Sequence, residues 1–127
     1  MIGYVTLGTN KFDESLAFYD DLLGTLVPGR FSDAEKNVAW ATSPGQPAVG
    51  VIKPHDGNEA TVGNGTMVAL AVESPEQVQA LYKKALELGG TDEGEPGPRG
   101  DGSFYVGYFR DLDGNKLNAF CMVQAAE

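Results

Sequence analysis

Apolar and polar residues alternate over Ile2–Leu7, with Tyr4 and Thr6 on one side and Val5 and Leu7 on the other; this spacing predicts a strand. The spacing then lengthens. Phe12, Leu16, Tyr19 and Leu23 recur at helical intervals, Ala17 and Leu22 widen the stripe, Asn10 stands where a helix cap would, and Gly24 follows as a terminator. Residues 25–53 read as three short strands, clearest at Asn37–Thr42 and Ala48–Lys53, which Ser43-Pro44-Gly45-Gln46-Pro47 joins as a turn. After the polar, Gly-containing stretch Pro54–Gly65 the order begins again. Met67–Val72 predicts a strand, and Ser74-Pro75-Glu76-Gln77 opens a helix with a Ser cap, Pro at its first position and Gln at the reciprocal capping position. Val78, Leu81, Tyr82, Ala85 and Leu86 form that helix's stripe, and Gly89-Gly90 end it. Thr91–Glu95 reads as a short strand and Pro96–Gly102 as a loop. Phe104–Arg110 and Lys116–Met122 are strands about the turn Asp111-Leu112-Asp113-Gly114-Asn115.

The chain therefore carries one pattern twice. Residues 4–23 fall on residues 67–86, placing Tyr4-Val5-Thr6-Leu7 on Met67-Val68-Ala69-Leu70, Ala17 on Ala80, Tyr19 on Tyr82 and Leu23 on Leu86. A repeat this long predicts two fused modules rather than a solenoid. The expected fold class is α+β: βαβββ, linker, βαβββ, with eight strands and two helices. As domain organisation this is a single domain over 1–127, made of module 1–54, linker 55–65 and module 66–127.

Composition narrows the partners. The 127 residues carry a net charge of -9, which argues against nucleic acid or an anionic membrane as partners, since both call for clustered Lys and Arg. No apolar run approaches the about 20 residues of a membrane helix. Cys121 is the single cysteine, so no intrachain disulfide can form, and the expected compartment is the cytoplasm.

Met1–Gly24, Gly65–Leu70 and Tyr105–Ala119, above all Phe109-Arg110-Asp111-Leu112-Asp113-Gly114-Asn115-Lys116-Leu117-Asn118, resemble the vicinal oxygen chelate superfamily. That group holds glyoxalase I, extradiol dioxygenases, and bleomycin and fosfomycin resistance proteins. The resemblance covers nearly the whole chain and is similar in flavour to small bacterial glyoxalase-like proteins. It implies two βαβββ modules forming an open barrel-like sheet around a cavity, and a homodimer. It does not settle the function, because this fold hosts lyases, dioxygenases, epimerases and plain binders.

The family's metalloenzymes place a divalent ion on His, Glu or Gln side chains of first and last strands. By resemblance these positions fall on Tyr4, Met67, Asn118 and the strand Ala48–Lys53. A phenol, a thioether and a neutral amide are poor ligands for hard or borderline divalent ions, and that last strand offers no Asp, Glu or His. The single histidine, His55, lies in the linker. The expectation is no metal and no other cofactor. What remains is a small-molecule pocket. Strand alternation puts Tyr4 with Thr6, Met67 with Ala69, and Asn118 with Phe120 on the cavity face, and Trp40 and Tyr108 on neighbouring strands complete the ligand-binding set. Filled barrel packing is the competing reading for Met67 and Phe120.

Three functional readings fit these residues: a metal-independent binder of the bleomycin-resistance kind, a lyase or isomerase using Tyr4 with Asn118 as candidate catalytic groups, and a glyoxalase-type metalloenzyme with unusual ligands. The first fits the ligand positions best. Elsewhere, His55 with Asp56 reads as solvated loop, Lys53 and Arg99 as surface charge, Cys121 as a buried strand residue, and Asp111 and Asp113 as turn residues serving the backbone.

Overall fold

The computed structural model describes residues 1–123. Ten elements run in the order β1 (Tyr4–Gly8), α1 (Phe12–Leu23), β2 (Arg30–Asp33), β3 (Asn37–Trp40), β4 (Ala48–Ile52), β5 (Val68–Ala71), α2 (Pro75–Glu87), β6 (Thr91–Arg99), β7 (Phe104–Arg110) and β8 (Lys116–Met122). They make two four-stranded sheets, ordered β1-β4-β3-β2 and β5-β8-β7-β6. The second order is the first repeated, so the sequence repeat is a repeat of topology. In each, the first strand pairs parallel with the last (β1 with β4, β5 with β8) and the other neighbours are antiparallel. Neither sheet closes into a barrel.

The chain divides into two compact units, Met1–Gly63 and Asn64–Glu127. Most of the linker therefore belongs with the first unit. Asn10 holds it there: its Nδ2 donates to the Ala60 carbonyl at 3.1 Å, and the Ala60 N–H donates to Asn10 Oδ1 at 2.7 Å. This corrects the expected helix cap. α1 has Lys11 at its N-cap with no side-chain cap bond, because Asn10 is engaged elsewhere.

In the first unit α1 buries Leu16, Phe18, Tyr19, Leu22 and Leu23 on one face of the sheet, together with Leu7, Val38, Trp40 and Val51. Each such side chain contributes about 1.5–3 kcal/mol of burial. Ala17, expected in that stripe, is exposed. In the second unit α2 begins as its sequence predicts. The Gln77 N–H donates to Ser74 Oγ at 3.2 Å, Pro75 opens the helix, and Gln77 Oε1 accepts from the N–H of Glu73, one residue before the cap. Val78, Leu81 and Ala85 are its buried residues, while Val106, Phe109, Leu117, Ala119 and Cys121 are buried on the strands.

The largest departure from expectation is β6. Pro96, Gly97 and Pro98, expected in a loop, lie in a strand reaching Arg99. Proline lacks the N–H that a central strand needs, but β6 is an edge, and its register shifts between Asp92 and Gly94 and again between Gly94 and Gly97. β3 ends at Trp40 rather than Thr42. No helix among the described residues is long and apolar enough to cross a membrane.

Candidate functional site

Alternation gives the sheet of the first unit two unlike faces. The helix-facing side carries Leu7, Val38, Trp40 and Val51. The opposite side carries Tyr4, Thr6, Ala48, Gly50, Ile52, Asn37 and Ala39, and the register places Tyr4 beside Ala48, Thr6 beside Gly50 and Ala39 beside Gly50. This face forms one wall of an open cavity of about 700 Å³, lined also by Gly3, Phe31, Ser32, Gly45 and Gln46. The floor is open because its central residues are small. A Cβ on Gly50 would make only ordinary contacts, the nearest to backbone carbonyls at 3.5 Å and Thr6 Cγ2 at 3.6 Å. No lining side chain bears a formal charge. Polar groups are the Tyr4, Thr6 and Ser32 hydroxyls and the Asn37 and Gln46 amides. Tyr4 is 72% exposed and Phe31 55% exposed, so the wall presents aromatic surface.

Of the residues expected to line a pocket, Tyr4 and Thr6 do so here. Trp40 does not, which corrects its assignment. It is 2% exposed, packs at a tilt against Tyr19 with ring centroids 5.6 Å apart, and its Nε1–H donates to Asp20 Oδ1 at 3.0 Å. Asp20 in turn accepts from Arg30 Nε at 3.1 Å and from Nη2 at 2.9 Å. The Arg30 guanidinium, with the Trp40 indole, holds the Asp20 carboxyl below its usual range. The parity of Trp40 with Val38 was the available signal. The same parity argument reaches Asn37, Ala39, Ala48, Gly50 and Ile52, which sequence reasoning left out.

The other five expected residues belong to the second unit. Asn118, on β8, is beside Ala69 of β5 and Tyr108 of β7. Phe120 is half-buried with its ring 5.5 Å from that of Phe104. Met67 is 41% exposed, and its Sδ lies 3.8 Å from Asn118 Nδ2. Asn118 itself is 2% exposed, and its Oδ1 has no hydrogen-bond partner among the described residues.

These groups do not suit a divalent ion. The Asn118 nitrogen points to a thioether, and the first-unit counterpart of Asn118 by register (Asn118 is to Ala69 as Gly50 is to Thr6) is a glycine with no side chain. No group of three or more His, Cys, Asp or Glu able to hold a metal lies together among the described residues. His55 is exposed. Burial pushes the Cys121 thiol up, reinforced by Glu76, which favours the inert thiol. Asp111 serves the turn: its Oδ1 accepts from the Asp113 and Asn115 N–H groups, each at 2.9 Å. Lys53 lies over Phe12 and Arg99 over Tyr108, each within its own unit.

Residues 1–119 match the family model described as Glyoxalase/Bleomycin resistance protein/Dioxygenase superfamily. Among solved structures, a glyoxalase/bleomycin resistance protein from Albidiferax ferrireducens T118 is 37% identical with TM-score 0.86, covering 95% of this chain and 98% of that one. A hypothetical protein from S. aureus is 26% identical with TM-score 0.71, covering 95% and 92% respectively. A lactoylglutathione lyase from Agrobacterium tumefaciens, 19% identical with TM-score 0.70 and covering 95% and 92%, shares the fold. No curated protein matches the chain.

Proposed function

The chain belongs to the glyoxalase/bleomycin resistance protein/dioxygenase superfamily, and from that premise we propose that it is a small-molecule-binding member that takes an apolar or carbonyl-containing metabolite without a divalent ion. The observation that carries this reading is the uncharged cavity of the first unit. A neutral ligand loses little hydration on entering an uncharged wall, whereas a metal-chelating substrate would lack the ion that anchors it. Phe31, Tyr4, Ala39 and Ile52 would receive apolar surface. The hydroxyls of Tyr4, Thr6 and Ser32 would donate to a carbonyl oxygen. The proposal includes a homodimer working in the cytoplasm, where a lone, unpaired cysteine is at home.

The test pairs a probe with a variant that narrows the cavity. Acetophenone, a neutral aromatic ketone, should raise the melting temperature of the wild type in a dose-dependent way. Gly50→Ala, whose added Cβ meets nothing nearer than 3.5 Å, should fold with an unchanged or higher melting temperature and weaken the response. Equal responses in the two proteins would sink the reading. Elemental analysis of untagged protein, purified without chelator and assayed for glyoxalase activity, addresses the metal. The expected result is far less than one nickel, zinc or iron per chain and no turnover. Near-stoichiometric metal with turnover would restore a metalloenzyme.

One observation supports a second reading, a metal-independent lyase or isomerase: Tyr4 lines the cavity, and its hydroxyl would act as an acid toward a bound carbonyl compound. Tyr4→Phe separates the two. An enzyme loses its turnover of a carbonyl substrate, whereas a binder has no turnover to lose and keeps a weakened acetophenone response through the remaining hydroxyls.

A further inference from the structure

The open face of the second sheet gathers positive charge in a chain whose net charge is -9. Two of the three arginines are committed to carboxylates, Arg30 to Asp20 and Asp33, and Arg110 to Glu93. Arg99 is not. Its guanidinium is fixed by main-chain oxygens, Nη2 donating to the Glu95 carbonyl at 2.9 Å and Nη1 to that of Pro98 at 3.2 Å. Glycines make room for it: a Cβ on Gly97 would stand 3.2 Å from Nη1, and one on Gly94 3.6 Å from Nη2. Arg99 is therefore held in place with donors to spare and no neutralising partner among the described residues.

Beside it stands Tyr108. The Arg99 guanidinium carbon is 6.0 Å from the ring centroid, and Lys116 Nζ is 5.3 Å from the same centroid. Arg99 and Lys116 come from β6 and β8, the two strands that flank β7, and both approach the same ring. Glu93 feels Lys116, but its hydrogen bond goes to Arg110. The cross-strand neighbour of Tyr108 is Asn118, whose Oδ1 is buried without a partner. A buried acceptor in that state forgoes stabilisation that a ligand's donor would recover. What lies against the amide is Met67, an exposed, unbranched thioether that can swing aside at small cost.

We propose that this face is an anion-binding site for a small organic acid that also carries an O–H or N–H donor: Arg99 and Lys116 take the carboxylate at the rim of the Tyr108 ring, and Asn118 Oδ1 takes the donor. The site stands on residues of the second unit alone, so it neither needs the first-unit cavity to bind a neutral ligand nor fails with it. Alternation along β8 puts Lys116, Asn118 and Phe120 on one face, but it does not reveal Arg99, which β6 brings in.

The full chain is titrated at low ionic strength with lactate, which has both groups, propionate, which lacks the hydroxyl, and lactamide, which lacks the charge. Binding is read by ¹H–¹⁵N NMR. Lactate should move the amides of residues 94, 95, 97, 99, 106–109 and 116–119, propionate should bind more weakly, and lactamide should leave them unmoved. Arg99→Gln should weaken lactate about tenfold, the loss of one charge-assisted hydrogen bond. Asn118→Leu should retain carboxylate binding and erase the preference for lactate over propionate. Shifts scattered over the surface lysines, equal binding of lactamide, or affinity indifferent to Arg99→Gln would each overturn the proposal, as would the absence of any shift. Spectral dispersion in the same experiment reports that each variant is folded.

Discussion

Asp20 shows how one side chain can fix the role of another. Its carboxylate receives the Trp40 indole N–H and the Arg30 guanidinium, and the aromatic residue is thereby committed to the helix side of the sheet. A carboxyl whose value is lowered by folding stabilises the protein above its unfolded value, and that contribution is lost as pH falls through the folded value. Asp20→Asn should therefore lower the melting temperature at pH 7, and its gap from wild type should close as the pH drops below the ordinary 3.8. With the Asp20 side chain 38% exposed, solvent screens the pair, and the loss should be roughly 1 kcal/mol. Thermal melts at several pH values check both sign and size. Asn118 makes the opposite case. Its Oδ1 is already unsatisfied, so Asn118→Leu should be close to neutral or stabilising in a denaturant titration, despite its cost in the selectivity proposed above.

At the scale of elements, junctions decide more than interiors. α2 hands over to β6 through Gly89 and Gly90, and a Cβ on Gly90 would stand 2.6 Å from the Arg110 carbonyl oxygen and 2.8 Å from that of Ala85. Both are main-chain atoms that cannot step aside. Gly90→Ala should cost about 1–3 kcal/mol by overpacking, read as a drop in denaturation midpoint with unchanged slope. Ser74→Ala, which removes a cap from an exposed helix start, should cost about 1 kcal/mol by the same measurement. The Ser74-Pro75-Glu76-Gln77 start was legible because all its partners lie within four residues. The first helix start was not, because Asn10 is claimed by Ala60, far along the chain. The second half of β6 was missed for the same kind of reason: whether a Pro-Gly-Pro segment is loop or edge strand depends on a neighbour that tolerates missing N–H groups, and β7 provides it through a shifted register.

Across the whole molecule, the order of elements, the two modules and the poverty of metal donors at the positions implied by family resemblance were all present in the sequence. They are legible there because the spacings of strand and helix follow from covalent geometry and because a residue type carries its chemistry wherever it sits. Tertiary structure alone assigned the polar partners. It turned Trp40 from ligand-facing to core, joined most of the linker to the first unit, and set Arg99 and Lys116 against the ring of Tyr108. It also left Asn118 Oδ1 buried without a bond. A polar side chain is placed by whichever partner reaches it, and for Asn10 and Trp40 that partner lies far away in the chain.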